Sequence, residues 1–183
     1  MDFLLTVEST VNTTLSLPSG TPVYEITTPL RTFRTHTTTI RKYEQEGGDP
    51  HDIAIVELHS LHKDVCQLRG KDFLPKKPSM LNLSSFSFTS SNGKEYTWHR
   101  KSGTQTVLND KDKNAVATYE QSHTGLRSKE PRPAKLSISA EVMEVVDEIV
   151  CTFTYVKQKE EIRKRTARGS AATSAATSVV VVS

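Results

Sequence analysis

The amino-acid sequence predicts a mostly β domain that ends in one buried helix. From Phe3 to about Ser139, short β-branched and aromatic runs alternate with turn residues, a pattern typical of strands. Between Glu141 and Lys164 there is no Gly or Pro, and apolar residues recur at helical spacing. After Arg165 the chain becomes a low-complexity run of Gly, Ser, Ala and Thr, which predicts disorder. We therefore predict a domain at 1–164, with its helix at 141–164, and a disordered tail at 165–183.

The strand candidates share β-branched or aromatic content and end at Pro, Gly, Asn or Asp. The Thr-rich candidate, Arg31–Tyr43, suits a pleated surface because Thr has a stiff χ1 torsion. In chain order the candidates are Phe3–Val7, Thr14–Leu17, Pro22–Thr28, Arg31–Tyr43, Ile53–His59, Val65–Leu68, Ser84–Ser90, Lys94–Arg100, Gln105–Leu108, Ala115–Tyr119 and Lys135–Ser139.

The clearest local prediction is a hairpin around Asn92-Gly93. Phe86 and Phe88 alternate on one side of it, and Tyr96 and Trp98 alternate on the other. Asn-Gly suits the positive φ angles of a type I′ turn, so this turn type is expected here.

The predicted helix has a competing interpretation. Its apolar residues lie three or four positions apart, and Val150 and Tyr155 widen the apolar face, so most of it should be buried. Ser139 is positioned to cap its start. However, Ile149–Val156 is β-branched and aromatic, so propensity alone would favour a strand there. No strand partner follows and the flanks are helical, which favours the helix.

Charge and composition narrow the function classes. The net charge is +3, and the stretch from Lys157 to Arg168 carries six basic and two acidic residues, so the rest of the chain carries −1. A nucleic-acid-binding domain usually carries its basic charge on the folded part, so this class is not expected. The sequence begins without a signal-peptide pattern and has no run of ~20 apolar residues. We therefore expect an intracellular, cytoplasmic protein. The run Arg163-Lys164-Arg165 is interpreted either as a nuclear-localisation or membrane-surface patch or as the solvated end of the helix.

Motifs for metal binding and catalysis are incomplete. His59, His62 and Cys66 have zinc-ligand types, with Asp64 nearby, but their spacing matches no common site. The stretch from Asp110 to Asn114 begins like an EF-hand and then lacks the required Gly and Glu, so we predict a hairpin turn. There is no Gly-x-Ser-x-Gly elbow or Gly-rich phosphate loop. We expect no cofactor, no metal and no enzyme activity.

Basic residues concentrate on the Thr-rich strand and supply the candidate ligand-binding residues. Basic clusters can bind anionic head groups. The alternative is an edge strand protected by its charges. The candidate residues are Arg31, Arg34, His36, Arg41 and Lys42, and further basic clusters occur at Lys76-Lys77, His99-Arg100-Lys101 and 127–135.

Several segments together resemble a family of uncharacterised fungal domains related to the tubby-like superfamily, with LURP-one-like proteins and scramblases as more distant relatives. The segments are Tyr24–Thr28, Thr37–Ile40, Ile53–Glu57, Asn92–Trp98 and Asp147–Tyr155. The resemblance implies a closed antiparallel barrel with the last helix through its centre. Relatives in the superfamily bind phosphoinositides or act at membranes, although no head-group motif or scramblase calcium site matches here.

These observations lead to two functional expectations. The first is a non-enzymatic binding module for anionic phospholipid, such as a phosphoinositide, at a membrane surface. The second is a protein–protein interaction module whose flexible C-terminal tail tethers a partner.

Overall fold

The computed structural model describes residues 1–29, 36–44, 47–59, 62–76, 85–123 and 130–177. For His36 and residues 168–177 the description covers the backbone only. Two of the predicted binding residues, Arg31 and Arg34, lie outside the described residues, as does the end of the predicted tail, 178–183.

The described chain forms twelve strands followed by one long helix. The helix α1 spans Val146–Thr177 and follows a 3₁₀ segment, Ala140–Val145. The strands are β1 Asp2–Leu5, β2 Asn12–Ser16, β3 Pro22–Thr27, β4 His36–Lys42, β5 His51–Leu58, β6 Val65–Leu68, β7 Lys71–Asp72, β8 Phe86–Thr89, β9 Glu95–Arg100, β10 Gln105–Asn109, β11 Ala115–Glu120 and β12 Lys135–Ile138.

All of these strands belong to one antiparallel sheet. Its order is β7-β6-β5-β4-β3-β2-β1-β12-β11-β10-β9-β8, so β1 and β12 join two meanders in the middle. The strand ladders do not close, and β7 and β8 are the outer strands. Within the described residues, an isolated bridge links β8 to the segment after β7, because Lys76 and Ser87 exchange two backbone hydrogen bonds of 2.7 Å. The predicted antiparallel sheet with a C-terminal helix is confirmed, whereas the predicted closed barrel is not.

The predicted strands are present, and their ends agree within two residues wherever those ends are described. The structure also contains one strand that was not predicted, the two-residue strand β7. It follows the loop Arg69-Gly70, whose φ angles of 50° and 76° match a type I′ turn. Arginine is not a typical residue for positive φ, so the sequence carries no signal for this hairpin.

The Asn92-Gly93 hairpin is confirmed, but the predicted turn type is wrong. Gly93 has a φ of 77°, whereas Asn92 is not in the positive-φ region. The Gly93 N–H donates to the Ser90 carbonyl at 2.9 Å. This bond closes a turn that starts at Ser90, two residues before Asn92. Asn92 also contacts the region before the helix, where its side-chain amide donates to Glu144 at 2.8 Å. Such tertiary contacts are invisible to the local turn signal.

The first part of helix α1 is buried inside the domain. Every residue from 147 to 158 is buried, and twelve consecutive residues cover all faces of a helix with 3.6 residues per turn. Phe153 is fully buried between Trp98 and Tyr119, with ring centroids 5.9 and 5.1 Å away. Tyr155 packs edge-on against Phe86. The helix, and not the competing strand, is therefore the conformation of Ile149–Val156.

The ends of the helix differ from those predicted. The Ser139 hydroxyl makes no capping bond and instead donates to the Glu141 carboxylate at 3.1 Å, since a 3₁₀ segment precedes α1. At the other end α1 continues past Lys164 to Thr177, through the stretch that composition predicts to be disordered. The Ala content of this stretch favours the helical backbone. Residues 165–167 are exposed, so this part of the helix lies outside the core.

Substitution of Phe153 tests the central position of the helix. We expect Phe153→Asp to abolish cooperative unfolding, because a carboxylate without a partner would be buried between aromatic rings. Phe153→Ala should lower the free energy of unfolding by about 3–5 kcal/mol, so the variant stays folded only if the wild-type value exceeds this loss. Urea denaturation followed by circular dichroism measures both.

The matched control is Ile162→Asp, on the same helix at a residue that is 45% exposed. This variant should unfold within about 0.5 kcal/mol of the wild type. A Phe153→Asp protein with wild-type stability would show that the sheet does not enclose α1.

Candidate functional site

The described residues of the predicted basic strand face opposite sides of the sheet. Arg41 lies on the outer side, where its guanidinium is 2.9 Å from Asp52 and 3.7 Å from Glu25. The hydrogen bond and charge of Asp52 raise the pKa of Arg41. Lys42, the next residue, points to the helix and lies 2.8 Å from Asp147. Both charges thus have intramolecular partners, and the binding role of this strand stays a prediction.

Asp147 is the centre of a polar cluster at the start of α1. Its carboxylate accepts hydrogen bonds from the Tyr24 hydroxyl at 2.6 Å, Lys42 at 2.8 Å and Arg69 at 2.5 Å. Burial alone would raise the pKa of Asp147, but the bonds from Lys42 and Tyr24 and the charges of Lys42 and Arg69 hold it below its ordinary value. This cluster attaches β3, β4 and the β6–β7 turn to the helix, which is a structural role.

The zinc-type residues do not form a site. The Asp64 carboxylate is occupied by the Tyr155 hydroxyl at 2.9 Å, the Lys159 ammonium at 2.8 Å and the His59 backbone N–H at 3.0 Å. Cys66 is buried against Cys151. Among the described residues, no group of three or more His, Cys, Asp or Glu side chains could hold a metal ion.

A groove of about 630 Å³ lies on the outer face of β8, β9 and β10. Strand alternation creates it: Phe86, Trp98 and their neighbours in register point to the core, while Ser87, Thr97 and His99 point outward. The lining residues are Ser85, Ser87, Glu95, Thr97, His99, Arg100, Asn109, Asp110, Lys111 and Lys113.

Three cations of this groove have no acidic partner within the described part of the chain: Arg100, Lys111 and Lys113 are all exposed and in no ion pair. The Arg100 guanidinium donates only to backbone carbonyls, at 2.9 and 3.1 Å. The groove also contains Glu95 and Asp110. Asp110 is engaged by Asn114, because both the backbone N–H and the side-chain amide of Asn114 donate to its carboxylate.

Hydroxyl and amide groups lie between these cations. The Ser87 and Thr97 hydroxyls are 2.8 Å apart and bond to each other. The Asn109 side-chain oxygen is buried and has no hydrogen-bond partner within the described residues. Cations combined with hydroxyls suit an anion that carries several oxygens, such as a phosphate ester.

The sequence indicated this groove only in part. Arg100 belongs to the predicted cluster His99-Arg100-Lys101, whereas Lys111 and Lys113 were predicted only as turn residues. The register decides their location: Asn109 pairs with Thr97, which puts the β10–β11 turn beside β9. The hydrogen-bonded turn at Asp110–Asn114 confirms the predicted hairpin turn.

Two other cavities are less suited to an anion. A cavity of about 440 Å³ near Lys164 differs from the groove in its ion pairs, because two of its three cations, Lys157 and Arg165, pair with Glu160 and Glu161. A cavity of about 570 Å³ between β7 and β8 is lined by acids, phenylalanines and one lysine, Lys76.

The fold defines a β domain organised around its own C-terminal helix, with a basic groove on the outer face of its sheet. The chain belongs to a family of unknown function, DUF6593, whose model matches residues 8–162. The match includes every strand after β1 and the buried part of α1. No curated protein and no solved structure matches the chain. Within the described residues, no helix is long and apolar enough to cross a membrane.

The Asp147 cluster predicts a pH-dependent contribution to stability. Because the pKa of Asp147 is lowered by folding, its contribution is complete above the ordinary value of 3.8 and is lost as the pH falls through the folded-state pKa. We expect Asp147→Asn to lower the free energy of unfolding by about 2 kcal/mol at pH 7, and by much less at pH 2–3. Urea denaturation across this pH range measures the difference.

Asp52→Asn is the control, since Asp52 also forms an ion pair but is exposed. It should change stability by at most about 1 kcal/mol. An Asp147→Asn effect that is the same at both ends of the pH range would contradict the electrostatic explanation.

Proposed function

We propose that this chain is a non-enzymatic binding module for anionic phospholipid, with the phosphoinositide head group as its ligand at a membrane surface. The observation that carries the proposal is the outer groove, where Arg100, Lys111 and Lys113 combine with hydroxyl groups and have no acidic partner in the described structure. Arg and Lys are the residues that bind phosphate oxygens most strongly. No cofactor is needed for this role.

A closed, tubby-like barrel is part of this proposal. Two observations support it: the helix is buried on all faces from 147 to 158, and the Lys76–Ser87 bridge connects the surroundings of the outer strands. The resemblance of the sequence to fungal domains related to the tubby-like superfamily points the same way. An intracellular location is also included, because anionic lipids concentrate in the cytoplasmic leaflet.

The expected strength of the interaction follows from the number of charges. A basic residue near an anionic surface contributes about 1 kcal/mol, so three of them contribute about 3 kcal/mol, or roughly a hundredfold in affinity. The interaction should weaken with salt, since exposed charges are screened over about 10 Å at 0.1 M ionic strength.

Vesicle co-sedimentation tests the proposal. We expect the wild-type chain to bind vesicles that contain phosphoinositide at low salt, and Lys111→Gln/Lys113→Asn to lower the affinity by about 30-fold, as two charges are lost. Asparagine is chosen at position 113 because Lys113 has a φ of 66°, a conformation that asparagine tolerates. Absence of wild-type binding would refute the lipid proposal.

A matched variant, Lys63→Gln/Lys71→Gln, removes two exposed lysines that are likewise in no ion pair but lie outside the groove. It should retain most of the wild-type binding. Arg41→Gln forms a third arm of the experiment. If this variant alone abolished binding, the site would lie on the Thr-rich strand, and its assignment to the groove would be wrong.

A second candidate function is a protein–protein interaction module that uses its C-terminal region. The supporting observation is that α1 continues to Thr177, although Glu160 is the last buried residue within the part of the helix whose side chains are described. Ile162, 45% exposed, adds apolar surface to this extension.

Deletion of residues 165–183 separates the two functions. Because residues 165–167 are exposed, we expect the truncated chain to unfold within about 1 kcal/mol of the full chain. Under the lipid proposal it should sediment with the same vesicles, with affinity reduced less than by the groove variant. Loss of a pulled-down partner, with vesicle binding retained, would instead favour the interaction module.

A further inference from the structure

The two cysteines of the chain meet inside the domain. Cys66 lies on β6 and Cys151 on α1, 85 positions apart, and their sulfur atoms are separated by 3.5 Å. Both side chains are buried. Since the sequence contains no other cysteine, an intramolecular disulfide has only one possible pairing.

We propose that Cys66 and Cys151 are an oxidation site, at which a disulfide covalently joins the sheet to the helix that it encloses. The two sulfurs need to approach by about 1.5 Å to reach the disulfide bond length of about 2.05 Å. The site involves two elements that already contact each other, so the bond requires no change of topology.

The reaction is thiol–disulfide exchange with a small disulfide such as oxidised glutathione. The thiolate of one cysteine attacks a glutathione sulfur, forms a mixed disulfide and releases one glutathione thiolate. The second cysteine loses its proton and attacks the protein sulfur of the mixed disulfide, which releases the second glutathione thiolate. Two protein thiols are oxidised, one glutathione disulfide is reduced to two thiols, and no other oxidant is needed.

The buried position determines when exchange is fast. The hydrogen bond with Cys66 and burial raise the pKa of the Cys151 thiol, which lowers its thiolate fraction in the folded chain. Exchange should therefore occur most readily while the chain folds, before β6 and α1 exclude the reagent. Once formed, the disulfide should persist, because β6 and α1 also exclude a reducing thiol from the folded core.

Refolding in a glutathione redox buffer tests the site without the need for access to the folded core. The full-length chain is diluted from urea into buffers of defined glutathione ratio, quenched with acid and analysed by mass spectrometry. The disulfide equilibrium constant is measured in native buffer and again in concentrated urea. We expect the native value to exceed the urea value at least tenfold, because folding holds the sulfurs together, whereas the unfolded chain must close a long loop.

By linkage, the same ratio measures how much the disulfide stabilises the fold, so the oxidised protein should also have a higher thermal midpoint than the reduced protein. Cys66→Ser is the control: it should refold, form no intramolecular disulfide and show no change of midpoint with oxidation. A native-to-urea ratio below ten, or an oxidised product that is a dimer or a glutathione adduct, would overturn the proposal.

Discussion

The structure depends on the burial of one helix on all of its faces. An ordinary surface helix hides one apolar stripe, but the segment 147–158 has no face left for water. Its polar groups therefore need partners within the domain. Thr152 accepts a hydrogen bond from the Trp98 indole at 2.9 Å, and Gln158 bonds to the Thr38 hydroxyl and the Thr10 carbonyl. Since Thr38 lies on β4 and Trp98 on β9, one in each meander, the helix connects the two halves of the sheet.

Burial of the helix on all faces also divides the sheet into an inner face that packs on α1 and an outer face that carries the groove. Arg41 and Lys42 illustrate the division, since they are adjacent on β4 and face opposite sides of the sheet. Arg41 forms an exposed ion pair, whereas Lys42 joins the polar cluster at the start of the helix. A cation on the inner face must be neutralised, as burial of an unpaired charge is costly. Cations without partners, such as Lys111 and Lys113, are therefore found on outer loops and edges, where a ligand can reach them.

Much of the fold could be predicted from local patterns. The strand Val65–Leu68 and the hairpin around Asn92-Gly93 follow from residue types and alternation, which depend only on neighbouring positions. Three features could not be obtained in this way: the short strand β7, the 3₁₀ segment before α1 and the extension of α1 to Thr177. Each depends on contacts or on a backbone conformation that residue types do not specify. The candidate groove was predicted only in part. Arg100 belongs to a basic cluster that is visible in the sequence, whereas Lys111 and Lys113 were predicted only as turn residues.

By itself the sequence determined where most strands lie and favoured a buried helix over a strand for the last segment, because periodicity of two and of about 3.6 expresses those properties directly. Only the tertiary structure decided which side chains meet. The contact of Cys66 with Cys151, the cluster around Asp147 and the position of the β10–β11 turn beside β9 all join residues far apart in the chain. These contacts depend on strand register and sheet order, which arise from the packing of the whole domain and not from any local stretch of residues.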